Sequence, residues 1–219
     1  TERLGELTSL TPLNGTEPSD AVAETIDKLT ETEKVIYRRR SIRVFKEKPI
    51  AREMIHRIIE AARFAPSAGN GQPWKFLVVR DPGSITALKD ACVQRGLEAR
   101  RARGMPATPE VAEAIEESLQ GYFSAPVYVV VLTDGESRYP TYNHFDGPMA
   151  AGYLMLAARA LGYGTVFITD SIPATVTKEV LNIPDRYTRV CITPLGIPVE
   201  WPDTPSKKEL DEFIVMDRF

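Results

Sequence analysis

Apolar residues recur along the chain with two different periods, and these predict where helices and strands lie. Over 51–64 (AREMIHRIIEAARF), Met54, Ile55, Ile58, Ile59 and Ala62 fall at helical spacing while His56 lies off the stripe, so a helix is predicted there. Thr30 and Glu33 have capping-box spacing and open a shorter helix ending near Arg40. Over 74–80 (WKFLVVR) and 127–133 (VYVVVLT), β-branched and aromatic residues predict strands. The second run lacks polar alternation, which places it centrally in a sheet covered on both faces. Strands are also predicted over 165–169 (TVFIT) and 189–196 (RVCITPLG). Further helices are predicted over 84–97, 109–122, 146–161, 175–181 and 206–213. Arg100, Arg101 and Arg103 then fall on the link after the 84–97 helix. The 146–161 helix is dominated by Ala, Gly, Leu and Met, side chains too small for a surface helix, and is expected to pack tightly, as in a dimer core.

Strands interspersed with helices give a single α+β or α/β domain, expected to span 30–219. Residues 1–29 mix Thr, Gly, Pro, Asn and Glu without sustained periodicity and read as an extension, flexible or wrapped around a partner.

Composition changes this picture only by exclusion. With 43% hydrophobic and 26% charged residues, the chain is not a disordered, collagenous or coiled-coil sequence. A net charge of -3 gives no electrostatic reason to expect nucleic acid. Two cysteines, Cys92 and Cys191, build no disulfide framework, and with only His56 and His144 beside them a four-ligand zinc site is not expected. No apolar run approaches the ~20 residues needed to cross a bilayer. The first residues, TERLGELTSL, show no basic segment followed by a hydrophobic one, so the expectation is no membrane and a cytoplasmic address.

Several catalytic patterns are missing from the sequence: no phosphate-binding Gly-Lys-Ser/Thr loop, no Gly-x-Ser-x-Gly, no His-Glu-x-x-His. Gly162-Tyr163-Gly164 follows a helix and precedes a strand, the reverse of a dinucleotide-binding loop, and reads as a helix stop. Two other segments carry chemistry. In 38–45 (RRRSIRVF), arginines lie at a helix end and the start of an extended run, where Ser41 and Arg43 point the same way. Such guanidinium groups could grip a phosphate or the carbonyl edge of a planar heterocycle, although the same pattern suits a solvated basic helix end. In 65–76 (APSAGNGQPWKF), small residues join a buried helix to a buried strand, where backbone can approach a flat ligand.

These two segments, the small-residue helix opening at Asp146 and ending LGYGTVFIT, 194–198 (PLGIP), and the pair Lys207 and Lys208 occur in an order and spacing that resembles the nitroreductase family of FMN-dependent oxidoreductases. The resemblance covers about residues 32–215. It implies an α+β, three-layer homodimer with a central mixed sheet flanked by helices, and FMN bound at the subunit interface. By resemblance, Arg39, Arg40, Ser41 and Arg43 form the FMN-binding cluster, with Arg39 on the phosphate and Arg43 near the N1 and O2 edge. Pro66, Ser67 and Asn70 match the loop offered by the other subunit, and Lys207 the phosphate-binding residue near the C-terminus. Thr169, with Asp170, falls where the family supplies a hydrogen bond to flavin N5. The implied activity is hydride transfer from NADH or NADPH through the flavin to a conjugated acceptor such as a nitroaromatic or quinone. With few nucleophile or acid–base constellations in the chain, the cofactor carries the chemistry and no catalytic side chain is required, Thr169 acting as a flavin tuner. The alternatives are oxygen-dependent flavin fragmentation, reductive dehalogenation and non-catalytic flavin binding. Deiodinating relatives hold an amino-acid zwitterion with a Glu, a Tyr and a Lys in the segment corresponding to 97–123. Here Glu98 is followed four residues later by Ala102, which counts against that activity. Arg100, Arg101 and Arg103 could attract an anionic acceptor or a 2′-phosphate, or form a solvated face.

Overall fold

The computed structural model describes residues 29–218, so the expected extension over 1–29 lies outside the described residues apart from Leu29. The chain divides into two compact units: Ser41–Glu200, and a smaller one formed by the segments preceding Ser41 and following Glu200.

In the smaller unit, helix α1 (Glu31–Arg38) starts at the expected capping box, with both Thr30 and Glu33 side chains engaged, and closes at Arg39. Of the helix predicted over 206–213 only a single 3-10 turn, Leu210–Glu212, forms. Around it only Leu210 is even half-buried, and a segment this short without a packed apolar face lacks the contacts that hold a helix in water.

The larger unit contains α2 (Arg52–Ala62), β1 (Trp74–Val79), α3 (Pro82–Ala102), α4 (Pro109–Gln120), β2 (Val127–Asp134), α5 (Asn143–Ala160), α6 (Ala174–Val180) and β3 (Tyr187–Leu195). The three strands form an antiparallel sheet in the order β1-β2-β3. Alternation along the central strand β2 builds two cores. Tyr128, Val130 and Leu132 meet Leu88, Cys92, Val93 and Leu97 of α3, Leu119 of α4 and Val176 of α6. Val127, Val129 and Val131 meet Ile55, Ile58 and Ala62 of α2 and Ala151, Leu154 and Ala158 of α5. Helices therefore cover both faces and the layers number three, as the unbroken apolar run in β2 requires.

The strand expected over 165–169 is reduced to isolated bridges: Gly164 with Gly196 and Ile168 with Ile192, both antiparallel, and Thr165 with Ser41, parallel. The intervening antiparallel pair would need the N–H of Pro194, which does not exist, so the ladder breaks there. Among the described residues the parallel pairing is the isolated bridge of Ser41 with Thr165, beside a sheet whose three strands are antiparallel. Helix α3 runs past its expected end, placing Arg100 and Arg101 in its last turn, where their charge suits the helix dipole, and Arg103 at the cap. His144 lies inside the first turn of α5 instead of before it. No helix among the described residues is long and apolar enough to cross a membrane.

Candidate functional site

Residues 41–45 run along the sheet edge and are fixed by backbone bonds: Ile42 N–H donates to the Thr165 carbonyl at 2.9 Å, and Phe45 N–H to Ser124 Oγ at 3.1 Å. Ile42 and Phe45 are buried, which leaves Ser41 half-buried and Arg43 exposed at the surface. The Arg43 guanidinium lies 6.0 Å from the centre of the Tyr122 ring. Tyr122 sits in the turn after α4, and its hydroxyl faces Ser171 and Arg43; these two contacts, Ser171 foremost, hold the phenol below its ordinary pKa. Just before Ser171, Thr169 and Asp170 are both exposed, with Thr169 Oγ1 donating to Asp170 Oδ2 at 3.2 Å. Arg43 and the 169–171 loop, more than a hundred residues apart in sequence, thus meet on either side of one tyrosine. No sequence pattern marks Tyr122, because an aromatic ahead of a strand is ordinary packing material.

The 65–72 loop is built differently. Gly69, Asn70 and Gln72 have φ of 50°, 54° and 48°, a left-handed conformation that glycine and asparagine tolerate best. A side chain at Gly69 would collide with the Tyr139 ring, so the glycine serves closeness as well as conformation. Ser67 Oγ accepts from Gln72 N–H at 3.0 Å, and Ala68 N–H donates to Asp146 Oδ1 at 3.1 Å. Asp146, in the first turn of α5, is buried, and its Oδ2 is enclosed without a hydrogen-bond partner. Pro66 and Asn70 are exposed and Ser67 half-buried. The hydrogen bonds of this loop run within itself, to the end of α2 and to α5, whereas those of 41–45 run to Thr165, Ser124 and Val199, so the two segments are supported separately.

In the smaller unit Arg39 closes α1, and Arg40 folds back so that its Nη1 donates to the carbonyls of Tyr37 and Arg39, at 2.7 and 2.8 Å. Burial, with Arg39 adding like charge, lowers the pKa of Arg40, and its Nε is enclosed without a partner. Lys207 is exposed. Its neighbour Lys208 instead pairs with Glu212, at 3.3 Å.

Elsewhere, Cys92 and Cys191 are buried, and burial pushes their thiols up to about 11 and about 12, so both behave as small apolar groups. The 97–123 segment holds the end of α3, a connection, α4 and a 3-10 turn; Lys89 of α3 bonds Glu116 of α4 at 2.7 Å, and Leu119 is buried. A cavity of about 470 Å³ opens where α2 begins and β1 ends, between Arg52, Ile55, His56 and Arg80. It lies at the far end of both elements from the 65–72 loop and includes no predicted cofactor residue.

The sequence profile of the Nitroreductase family matches residues 36–197. A protein of Rhodobacter capsulatus named 5,6-dimethylbenzimidazole synthase is 34% identical over 191 residues, covering 82% of this chain and 87% of that one. A protein of Archaeoglobus fulgidus named for NADH dehydrogenase/NAD(P)H nitroreductase activity is 32% identical over 197 residues, covering 87% and 94%. A nitroreductase structure from Desulfovibrio desulfuricans, solved in complex with FMN, superimposes with a TM-score of 0.66 at 26% identity, covering 87% of this chain and 99% of that one. The three-layer arrangement, the paired loops and these matches agree, and the chain belongs to the nitroreductase family.

Proposed function

We propose that the protein is an FMN-dependent oxidoreductase that takes reducing equivalents from NADH or NADPH and delivers them to a conjugated acceptor such as a nitroaromatic or quinone. The observation that carries this reading is the meeting of Arg43 with the 169–171 loop across Tyr122. The residues fit the cofactor. Among the described residues no carboxylate pairs with Arg43 or Lys207, and Arg40 keeps a buried Nε without a partner, a donor set suited to a phosphate and to an electron-rich heterocycle. Arg39, Arg40 and Lys207 would hold the phosphate; Ser41 and Arg43 the pyrimidine edge; Thr169 and Asp170 the N5 edge; Pro66, Ser67 and Asn70 would be offered by a second copy. FMN, when bound, would supply hydride acceptance and donation. Arg43 would place positive charge where negative charge develops on reduction, which favours the reduced state without a proton transfer by the protein.

A second copy is supported by α5. Phe145 (60% exposed), Met149 (44%) and Tyr153 (39%) lie four residues apart and form an apolar stripe on the helix that also anchors the 65–72 loop.

The deciding experiment is reconstitution with FMN followed by an absorbance spectrum and NAD(P)H oxidation with a nitroaromatic acceptor. About one FMN per chain and acceptor-dependent turnover are expected; a protein that stays colourless refutes the reading. Oxygen-dependent breakdown of the flavin is the second reading, favoured by the 34% identity to the 5,6-dimethylbenzimidazole synthase. It predicts that bound FMN is destroyed under air with NAD(P)H, whereas the first predicts that it is recovered intact.

A further inference from the structure

We propose that Arg189, on β3, is a positioning residue that sets the 169–172 loop, and through it the groups offered to the flavin N5 edge. The proposal rests on the flavin reading only in its second half.

Arg189 is a cation in a strand whose neighbours Val190, Cys191 and Ile192 are apolar. Its direction comes from a β-bulge. In the β2–β3 register Val131 pairs with Cys191, but Leu132 pairs with Arg189, so Val190 is the extra residue. Val190 and Cys191 both pack in the core beneath α2 and α5. The bulge thereby turns Arg189 to the opposite face, the one shared by Leu132, Ile172 and Val176. With regular alternation Arg189 would lie on the same face as Cys191 and could not reach the loop.

On that face the guanidinium spans the loop from beneath. Nη2 donates to the Thr169 carbonyl, and Nη1 to the Ile172 carbonyl at 2.5 Å and to Thr177 Oγ1 of α6 at 3.0 Å. The planar fork of arginine suits two carbonyls held at a fixed separation, a geometry a lysine ammonium cannot reproduce. Thr177 is fully buried and its hydroxyl also donates to the Pro173 carbonyl, so the anchor belongs to the core. With both ends of the loop drawn down onto Arg189, the side chains of Thr169 and Asp170 are left pointing outward, exposed and bonded to each other. Tyr122 engages Ser171 from the other side. The loop is thus fixed by a cation below and by a phenol that also contacts Arg43.

The test compares wild type, Arg189→Lys and Arg189→Met, with Thr177→Val as a milder variant that keeps the cation and removes one anchor. In the FMN-free proteins, hydrogen exchange at the bonded amides that close the two ends of the loop, Ile168 and Thr177, is expected to accelerate at least about tenfold in Arg189→Met and less in Thr177→Val, while β2 and α5 keep their protection. In the FMN-loaded proteins, reduction by saturating NADPH is expected to slow about tenfold or more in Arg189→Met, with a shifted flavin potential. Arg189→Lys should restore the potential more fully than the rate, because it returns the charge without the fork. Unchanged loop exchange in Arg189→Met and Arg189→Lys overturns the proposal outright. Faster loop exchange, with a bound-flavin fraction that keeps wild-type rate and potential, overturns its second half and makes Arg189 structural only. If wild type itself takes up no FMN, the flavin reading fails, and the exchange data still decide whether Arg189 sets the loop.

Discussion

In the proposed function Arg43 would act on the reaction step more than on binding. A fixed cation beside a developing anion shifts the reduction itself, whereas a charge on the hydrated end of α3 acts on encounter and is screened by salt. Arg43→Ala is therefore expected to retain FMN, lower the flavin potential and slow reduction by NAD(P)H; Arg101→Ala is expected to change mainly KM. Stopped-flow reduction at full FMN occupancy separates the two, and an unchanged rate in Arg43→Ala would assign the role to another arginine. The buried thiols make a second prediction at this scale. With folded values of about 11 for Cys92 and about 12 for Cys191, both stay protonated in the folded chain while the unfolded chain ionises near pH 8.5. Their contribution to stability is complete below about pH 8.5 and is lost as pH rises through the folded values. The urea midpoint should fall between pH 8.5 and 11, and fall less in Cys92→Ala than in wild type.

At the scale of elements, the position of α5 on the sheet is set by small residues. Gly147 is buried, and a Cβ there would lie 2.8 Å from Thr133 Cγ2 and closer still to Val190 Cγ2, on β2 and β3 respectively. Gly147→Ala is expected to cost roughly 1–3 kcal/mol by overpacking, measured by urea denaturation. Because Asp146 carries the 65–72 loop, the same substitution should also displace that loop and weaken FMN binding. A variant with wild-type stability and FMN affinity would show that α5 is free to shift. The bulge at Val190 has a comparable role on the other face, since a single extra residue decides which core receives the Arg189 side chain.

At the scale of the whole molecule, the proposed function gives one chain two half-sites: the 41–43 edge with the 169–171 loop would form one, and the 65–72 loop on α5 would form the other. If the second half serves a partner copy, dimerisation and FMN binding are one equilibrium. Met149→Glu with Tyr153→Glu, on the exposed stripe of α5, should produce monomers by light scattering and abolish tight FMN binding in parallel. Monomers that hold FMN with wild-type affinity would sink this arrangement.

Helices and strands that bury an apolar face are legible in the chain, because periodicity records which side chains leave water: α2, β2 and α5 follow from Ile55 and Ile58, from the unbroken run Val127–Leu132, and from the small residues after Asp146. The sequence also marks both candidate loops, since glycine and arginine at special backbone positions are local signals. What failed were segments held by pairing or packing with distant chain. The 165–169 run looks like a strand but meets Pro194, and 206–213 looks like a helix but has no surface to lie against. Folding alone brings Tyr122 between Arg43 and Ser171, lets Asp146 accept from Ala68, and sets Arg189 under the 169–172 loop. Each depends on a register or crossing between residues at least fifteen apart, and in the case of Arg189 on one bulged residue, none of which leaves a periodic trace in the chain.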